Sequence, residues 1–240
     1  MSNSNTIEKK TKKLYTWNEG QKWEFVKKKG VPRNIETLLI ERLGEVSPEG
    51  CPIKSPGEWS GWSRIRHSYP PAGEYAFPKE IFFEVPANNS VTFDFIGHGH
   101  NTRIVSEEML EFSKEHGLEK YEIAKANVIN RKGLPIKTKK QYFVLWFYEF
   151  DDELLEFGDM VKVTQESIMG MKPLSYELYP NMQVKHGVNK KIFNLKHLAF
   201  NEGFIFTSEI KDLIEKRGFI GPNIYAMDEL WMAYVDEKPI

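Results

Sequence analysis

The string DFIGHGHNTR holds the residues whose types could most directly do chemistry: Asp94, His98 and His100. In extended backbone the two histidines share one face, as a pair of metal ligands or an acid/base pair would. A third ligand at H-E-x-x-H or paired-cysteine spacing is missing nearby, and the glycines favour a loop carrying two polar histidines. Cys51, in EGCPIK, has no neighbouring base, and the chain contains no G-x-S-x-G elbow and no phosphate- or dinucleotide-binding glycine pattern. The reading is of a protein that is not an enzyme, with no catalytic, cofactor or metal residues. A hydrolase or metal-dependent enzyme built on Asp94, His98 and His100 is the alternative.

Two further strings suit binding. EWSGWSRIRH places Trp59 and Trp62 beside Arg64 and Arg66. Such a mixture can stack single-stranded nucleic acid or sugars, cap a core beneath a loop, or anchor a protein interface. YEFDDELLEFGD sets Glu149, Asp151, Asp152, Glu153, Glu156 and Asp159 in a block that no basic residue interrupts. A charge run of this kind is either a solvated turn or a surface that draws in a basic partner and raises its association rate. The candidate partner-binding residues are therefore Asp151, Asp152, Glu153, Glu156, Asp159, Trp59 and Trp62.

Composition limits the partners. The 33 basic residues nearly balance the 34 acidic ones, so no global field favours nucleic acid or an anionic membrane. A single cysteine excludes an internal disulfide and a cysteine-rich zinc site. MSNSNTIEKKTKKLY lacks an apolar leader core, and no run is long enough to span a bilayer, so a soluble, cytoplasmic protein is expected. Nine of the first 33 residues are Lys or Arg, and residues 1–13 read as a disordered basic arm. The remainder, 14–240, reads as one compact unit, with a division near residue 100 left open.

The elements that would position these strings follow from periodicity and punctuation. NIETLLIERLG reads as a short helix with Asn34 as its cap and Gly44 beyond its end. EIFFEVP and SVTFDFIG read as strands joined by a hairpin turn at ANNS. YEIAKANVIN is a strand, and YFVLWFYEF, continuously apolar and aromatic for seven residues, predicts a central strand buried on both faces. DMVKVTQESIM alternates as a strand, KIFNLKHLAFN as a strand or short helix, and ELWMAYV as a closing strand. The fold class is α+β: a mixed, mostly antiparallel sheet with a few short helices.

One unit is written twice. At a constant offset RIVSEEMLEFSKEHGLEKYEI aligns with GFIFTSEIKDLIEKRGFIGPNIY: Val105 falls on Phe206, Ser106 on Thr207, Glu108 on Glu209, Phe112 on Leu213 and Gly117 on Gly218. Each copy predicts a strand, a hydroxyl N-cap, an acidic first turn, a short helix, a left-handed glycine and a second strand. Met109 and Phe112, with Ile210, Leu213 and Ile214, would form the buried faces. This unit, with GP and a hydrophobic strand after the second copy, resembles the C-terminal region of immunity proteins from bacterial polymorphic-toxin systems. The similarity is to the eleventh and forty-third numbered immunity families, over Arg103 to Tyr225. Some relatives carry paired C-x-x-C motifs, which this chain lacks. The resemblance implies a cytoplasmic antitoxin that binds a cognate toxin domain and blocks its active site or substrate groove. A nucleic-acid or carbohydrate binder using Trp59 to Arg66 is the remaining alternative.

Overall fold

The computed structural model describes residues 13–19, 30–32, 37–55, 57–60, 76–86, 91–99, 101–165, 173–197, 200 and 203–239. The basic arm therefore lies almost wholly outside the described residues, as do Trp62, Arg64, Arg66 and His100. The first half of the chain contributes β1 (Leu14–Asn18), β2 (Leu38–Ile40), β3 (Arg42–Val46), β4 (Pro52–Ser55), β5 (Glu80–Val85), β6 (Phe95–Gly97) and β7 (Thr102–Ser106). Helix α1 (Glu107–Glu115), β8 (Tyr121–Asn130) and β9 (Tyr142–Phe147) follow. The second half adds β10 (Leu155–Glu156), β11 (Val161–Gln165), β12 (Leu174–Leu178), β13 (Gln183–Val184), β14 (Ile192–Phe193) and β15 (Phe204–Thr207). Helix α2 (Ser208–Arg217) and β16 (Asn223–Ala226) complete it.

Six strands form one sheet in the order β2-β5-β8-β9-β7-β6, and four form another in the order β14-β15-β1-β16. Only the β5–β8 pairing among the described strands is parallel. The α+β, mostly antiparallel expectation holds. Strand β9 sits between β8 and β7, which explains its unbroken apolar run: Val144 and Trp146 face a core with Trp59 and Phe83, while Leu145 and Phe147 face Phe112 and Phe204. The Tyr142 hydroxyl, on the first of these faces, donates to the Phe93 carbonyl at 2.9 Å. Burial, aided by the Asp94 carboxylate, pushes that phenol's pKa far up.

The repeated unit is a repeated structure. β7 and β8 both run antiparallel to β9, and β15 and β16 both run antiparallel to β1, so each helix links two parallel strands that straddle a third. This is a split strand-helix-strand unit. The register repeats as well. Val105 pairs with Phe143 where Phe206 pairs with Tyr15, and Ile123 pairs with Leu145 where Ile224 pairs with Trp17. The sequence offset that maps helix on helix thus also maps the returning strand, at residues whose side chains differ.

Met109, Phe112, Ile210 and Ile214 are buried in one core that the two sheets share, and Leu213 is partly buried against it. The glycines after the helices take positive φ, 94° at Gly117 and 68° at Gly218. The caps differ. Ser106 Oγ accepts from the Met109 amide at 3.2 Å and donates to Asp94 Oδ1 at 2.6 Å, whereas Thr207 makes no side-chain cap bond. Ser106→Ala should therefore cost about 1–3 kcal/mol, since it uncaps α1 and strips a donor from a buried carboxylate. Thr207→Ala should cost clearly less, and urea unfolding of the two variants compares them.

Three local expectations are corrected. Residues Leu38–Ile40 and Arg42–Val46 are strands rather than the end of a helix, and Asn34 and Glu36 lie outside the described residues. Pairing of Leu39 with Phe83 at the sheet edge outweighs the local helix signals. EIFFEVP and SVTFDFIG do not form a hairpin, because β8, β9 and β7 stand between β5 and β6. ELWMAYV is not a strand: Met227–Ala233 is a 3₁₀ helix, and Met227, Leu230 and Ala233 recur every third residue to bury one face against Leu14 and Ile205.

Candidate partner-binding surface

Strand β9 ends at Phe147, and the acidic block leaves the sheet there. Its base is tied down. The Asp151 amide donates to the Asn194 carbonyl at 2.9 Å, and Asp151 Oδ2 accepts from the Asn194 amide at 2.9 Å. Lys190 Nζ reaches Asp151 Oδ1 at 2.7 Å. Asp152 opens a 3₁₀ turn ending at Leu154 and accepts from the Lys196 amide at 3.2 Å. Glu156, in β10, pairs with Gln183 of β13. Gly158 has φ of 71° and lies so close to Asn181 that a Cβ there would stand 3.2 Å from the Asn181 Cβ. The block is thus a fixed loop on a rigid scaffold, the usual setting for binding residues.

Within it the side chains divide. Asp151 is 8% exposed and serves the fold through Lys190 and Asn194, so the structure withdraws it from direct contact. Glu149 is exposed but pairs with Lys120 at 2.8 Å, raising the lysine's pKa. Glu153, Glu156 and Asp159 are exposed and Asp152 is half-buried. Met160, next to them, is 49% exposed, which adds an apolar element to the acidic strip.

The tryptophan candidate is placed differently. Trp59 is wholly buried, with its ring 4.8 Å from that of Phe77 and 5.8 Å from that of Trp146, both edge-on. It is part of the core and offers no face to a base, a sugar or a partner. Trp62 lies outside the described residues.

Asp94 is a structural hub. It is 1% exposed, and its carboxylate accepts from Ser106 Oγ and Lys140 Nζ, both at 2.6 Å, and from the Ile220 amide at 2.9 Å. Those bonds join the cap of α1 to the segment after α2, and they occupy the oxygens a base or metal ligand would need. His98 packs edge-on to Phe83, with ring centroids 6.4 Å apart. No group of three or more His, Cys, Asp or Glu able to hold a metal ion occurs among the described residues. None of their helices is long and apolar enough to cross a membrane.

Sequence reasoning missed Arg103 entirely. Its guanidinium is buried between the two sheets, donating to Asn194 Oδ1 and the Gly203 carbonyl, both at 2.9 Å, and lying over the rings of Phe147 and Phe204. Asn194 is the residue that holds Asp151, so Arg103 braces the acidic strip from behind. Nothing in RIVSEE marks that arginine as internal.

Comparison with curated proteins gives no match. The family model described as Immunity protein 43 matches residues 24–237, which takes in both split units except for β1. The chain belongs to the immunity protein 43 family.

Proposed function

We propose that the protein is a cytoplasmic antitoxin that neutralises a secreted bacterial toxin by binding it, with Asp152, Glu153, Glu156 and Asp159 forming part of the toxin-facing surface. The observation that carries this reading is a dense, single-sign strip held on a fixed loop whose buried member, Asp151, is spent on anchoring it. Toxins that act on nucleic acid or nucleotides have basic clefts, and carboxylates projecting from a rigid loop can occupy such a cleft as phosphates would. The reading needs no catalysis, and the saturation of Asp94 supports that.

The test is the triple variant Asp152→Lys, Glu153→Lys, Glu156→Lys with the cognate toxin. Association at low ionic strength should slow by roughly tenfold or more, and its salt dependence should flatten. Alanine at both His98 and His100 should leave neutralisation intact. Unchanged association kinetics in the triple variant would remove the strip from the interface, and lost neutralisation in a folded histidine variant would favour the enzyme.

A further inference from the structure

A second surface lies at the opposite end of β9. Cross-strand partners share a face, so Lys125 lies on the same side as Phe143, and Glu80 with Lys125, and Phe82 with Asn127, continue that side into β5. Helix α1 packs on β7 and β9. Over β5 and β8 the same face forms the floor of a groove of about 790 Å³. One wall is the β3–β4 hairpin with Leu43 and Pro52, and the other is the β8–β9 connection with Leu134 and Pro135.

Both walls are fastened. Lys54 of the hairpin pairs with buried Glu84 at 2.5 Å and donates to the Arg131 carbonyl at 2.8 Å. The connection turns on Asn130, whose Oδ1 accepts from the Lys132 and Leu134 amides at 2.9 and 3.0 Å. Gly133, at φ of 78°, would bring a Cβ within 3.4 Å of Pro52. Leu134 is thereby held 43% exposed on a turn with little freedom to lose.

The charge of this groove is one-sided. From Arg131 to Gln141 the chain reads RKGLPIKTKKQ, with five basic residues and no acid. Lys140 is engaged with Asp94, but exposed Lys139 lines the groove, and exposed Lys125 rises from its floor beside Glu80; Arg131, Lys132 and Lys137 are exposed on the same connection. The strand between this basic end and the acidic strip is β9, so the two charged surfaces stand roughly 20 Å apart at 3.3 Å per residue.

We infer that this groove is a second docking surface, for an acidic amphipathic segment of the partner protein, with apolar side chains seated between Leu43, Pro52, Phe82 and Leu134 and its carboxylates meeting the lysine rim. The aliphatic walls and the engagement of Tyr142 with Phe93 suit apolar anchors better than stacked bases. The inference rests on the antitoxin reading for the identity of the partner, and on this face alone for its chemistry.

The probe is a short fluorescein-labelled peptide alternating glutamate with leucine and phenylalanine. It should bind the full chain saturably, weaken with added salt, and lose roughly tenfold or more in affinity with Lys125→Glu plus Lys139→Glu. Leu134→Asp should do the same, with thermal unfolding showing that each variant keeps its fold; Leu134→Ser replaces it if Leu134→Asp does not. The same peptide with lysine for glutamate should not bind, and an oligothymidylate should not compete. Equal binding of the lysine peptide, tighter binding of the oligonucleotide, or indifference to the variants overturns the inference. Toxin neutralisation separates the two readings. Loss confined to the acidic-strip variants, with no peptide binding, rejects the groove and keeps the strip; peptide binding with neutralisation untouched by the strip variants does the reverse.

Discussion

Arg103→Ala is expected to cost about 3–5 kcal/mol, from buried acceptors left without a donor and a cavity where the guanidinium stood. Three losses coincide. The guanidinium's bonds to Asn194 Oδ1 and to the carbonyls of Gly203 and Thr102 vanish, and their acceptors remain buried. The planar group between Phe147 and Phe204, about 5.5 Å from each ring, leaves a void where the two sheets meet. Asn194 loses the partner that orients it against Asp151. A domain of ordinary stability, 5–15 kcal/mol, would be left marginal or unfolded. Arg103→Lys should recover only part of the loss, because an ammonium cannot reproduce the planar fork. Urea unfolding measures this, and a change below about 1 kcal/mol would show that Arg103 is not the joint between the sheets. If the alanine variant stays folded, association with the toxin should slow as well, since its brace on the acidic strip is gone.

The second large effect concerns β1. Trp17 is 2% exposed, its Nε1 donates to the Pro222 carbonyl at 3.0 Å, and its ring lies 5.0 Å from that of Phe95. The chain around it is shaped for that ring: a Cβ on Gly221 would stand 2.5 Å from it, nearer than real contacts allow. Trp17→Ala should cost about 3–5 kcal/mol through lost burial and an unfilled cavity. Shortening the chain to residues 24–240, the start of the family match, should be worse, because β1 is the strand between β15 and β16: β16 would lose its ladder partner and β15 would keep only the two-residue strand β14. The shortened chain should lack cooperative unfolding of its C-terminal half, and hydrogen exchange should show β15 and β16 unprotected. Native protection of those strands in the 24–240 chain would mean that β1 is dispensable.

What the sequence determined alone is what local physics decides. The two helices, the Ser106 cap, the glycine ends and the strands around them were legible because an N-cap hydroxyl, acidic first turns and left-handed glycines act within a few residues, although the Thr207 hydroxyl makes no cap bond. The burial of β9 was legible because only a strand covered on both faces tolerates YFVLWF. The family resemblance was legible from the same repeated unit, and the family match then extended it over most of the chain.

Tertiary structure decided the remainder, since the partners lie far apart in the chain. Strand β1 finds β15 and β16 some two hundred residues on, a pairing no local pattern encodes. Residues 34–44 carry helix signals, but residues 38–46 meet a sheet edge and a hairpin partner, which outbid propensities of well under 1 kcal/mol per residue. Asp151 and Glu153 look alike in the sequence, yet the first is buried because Lys190 and Asn194 come to it, and the second is left in water. Trp59 and Arg103 differ in the same way from what their neighbours suggest: whether a large or charged side chain faces a partner or the core depends on what packs over it, and that is settled only when the two sheets close on each other.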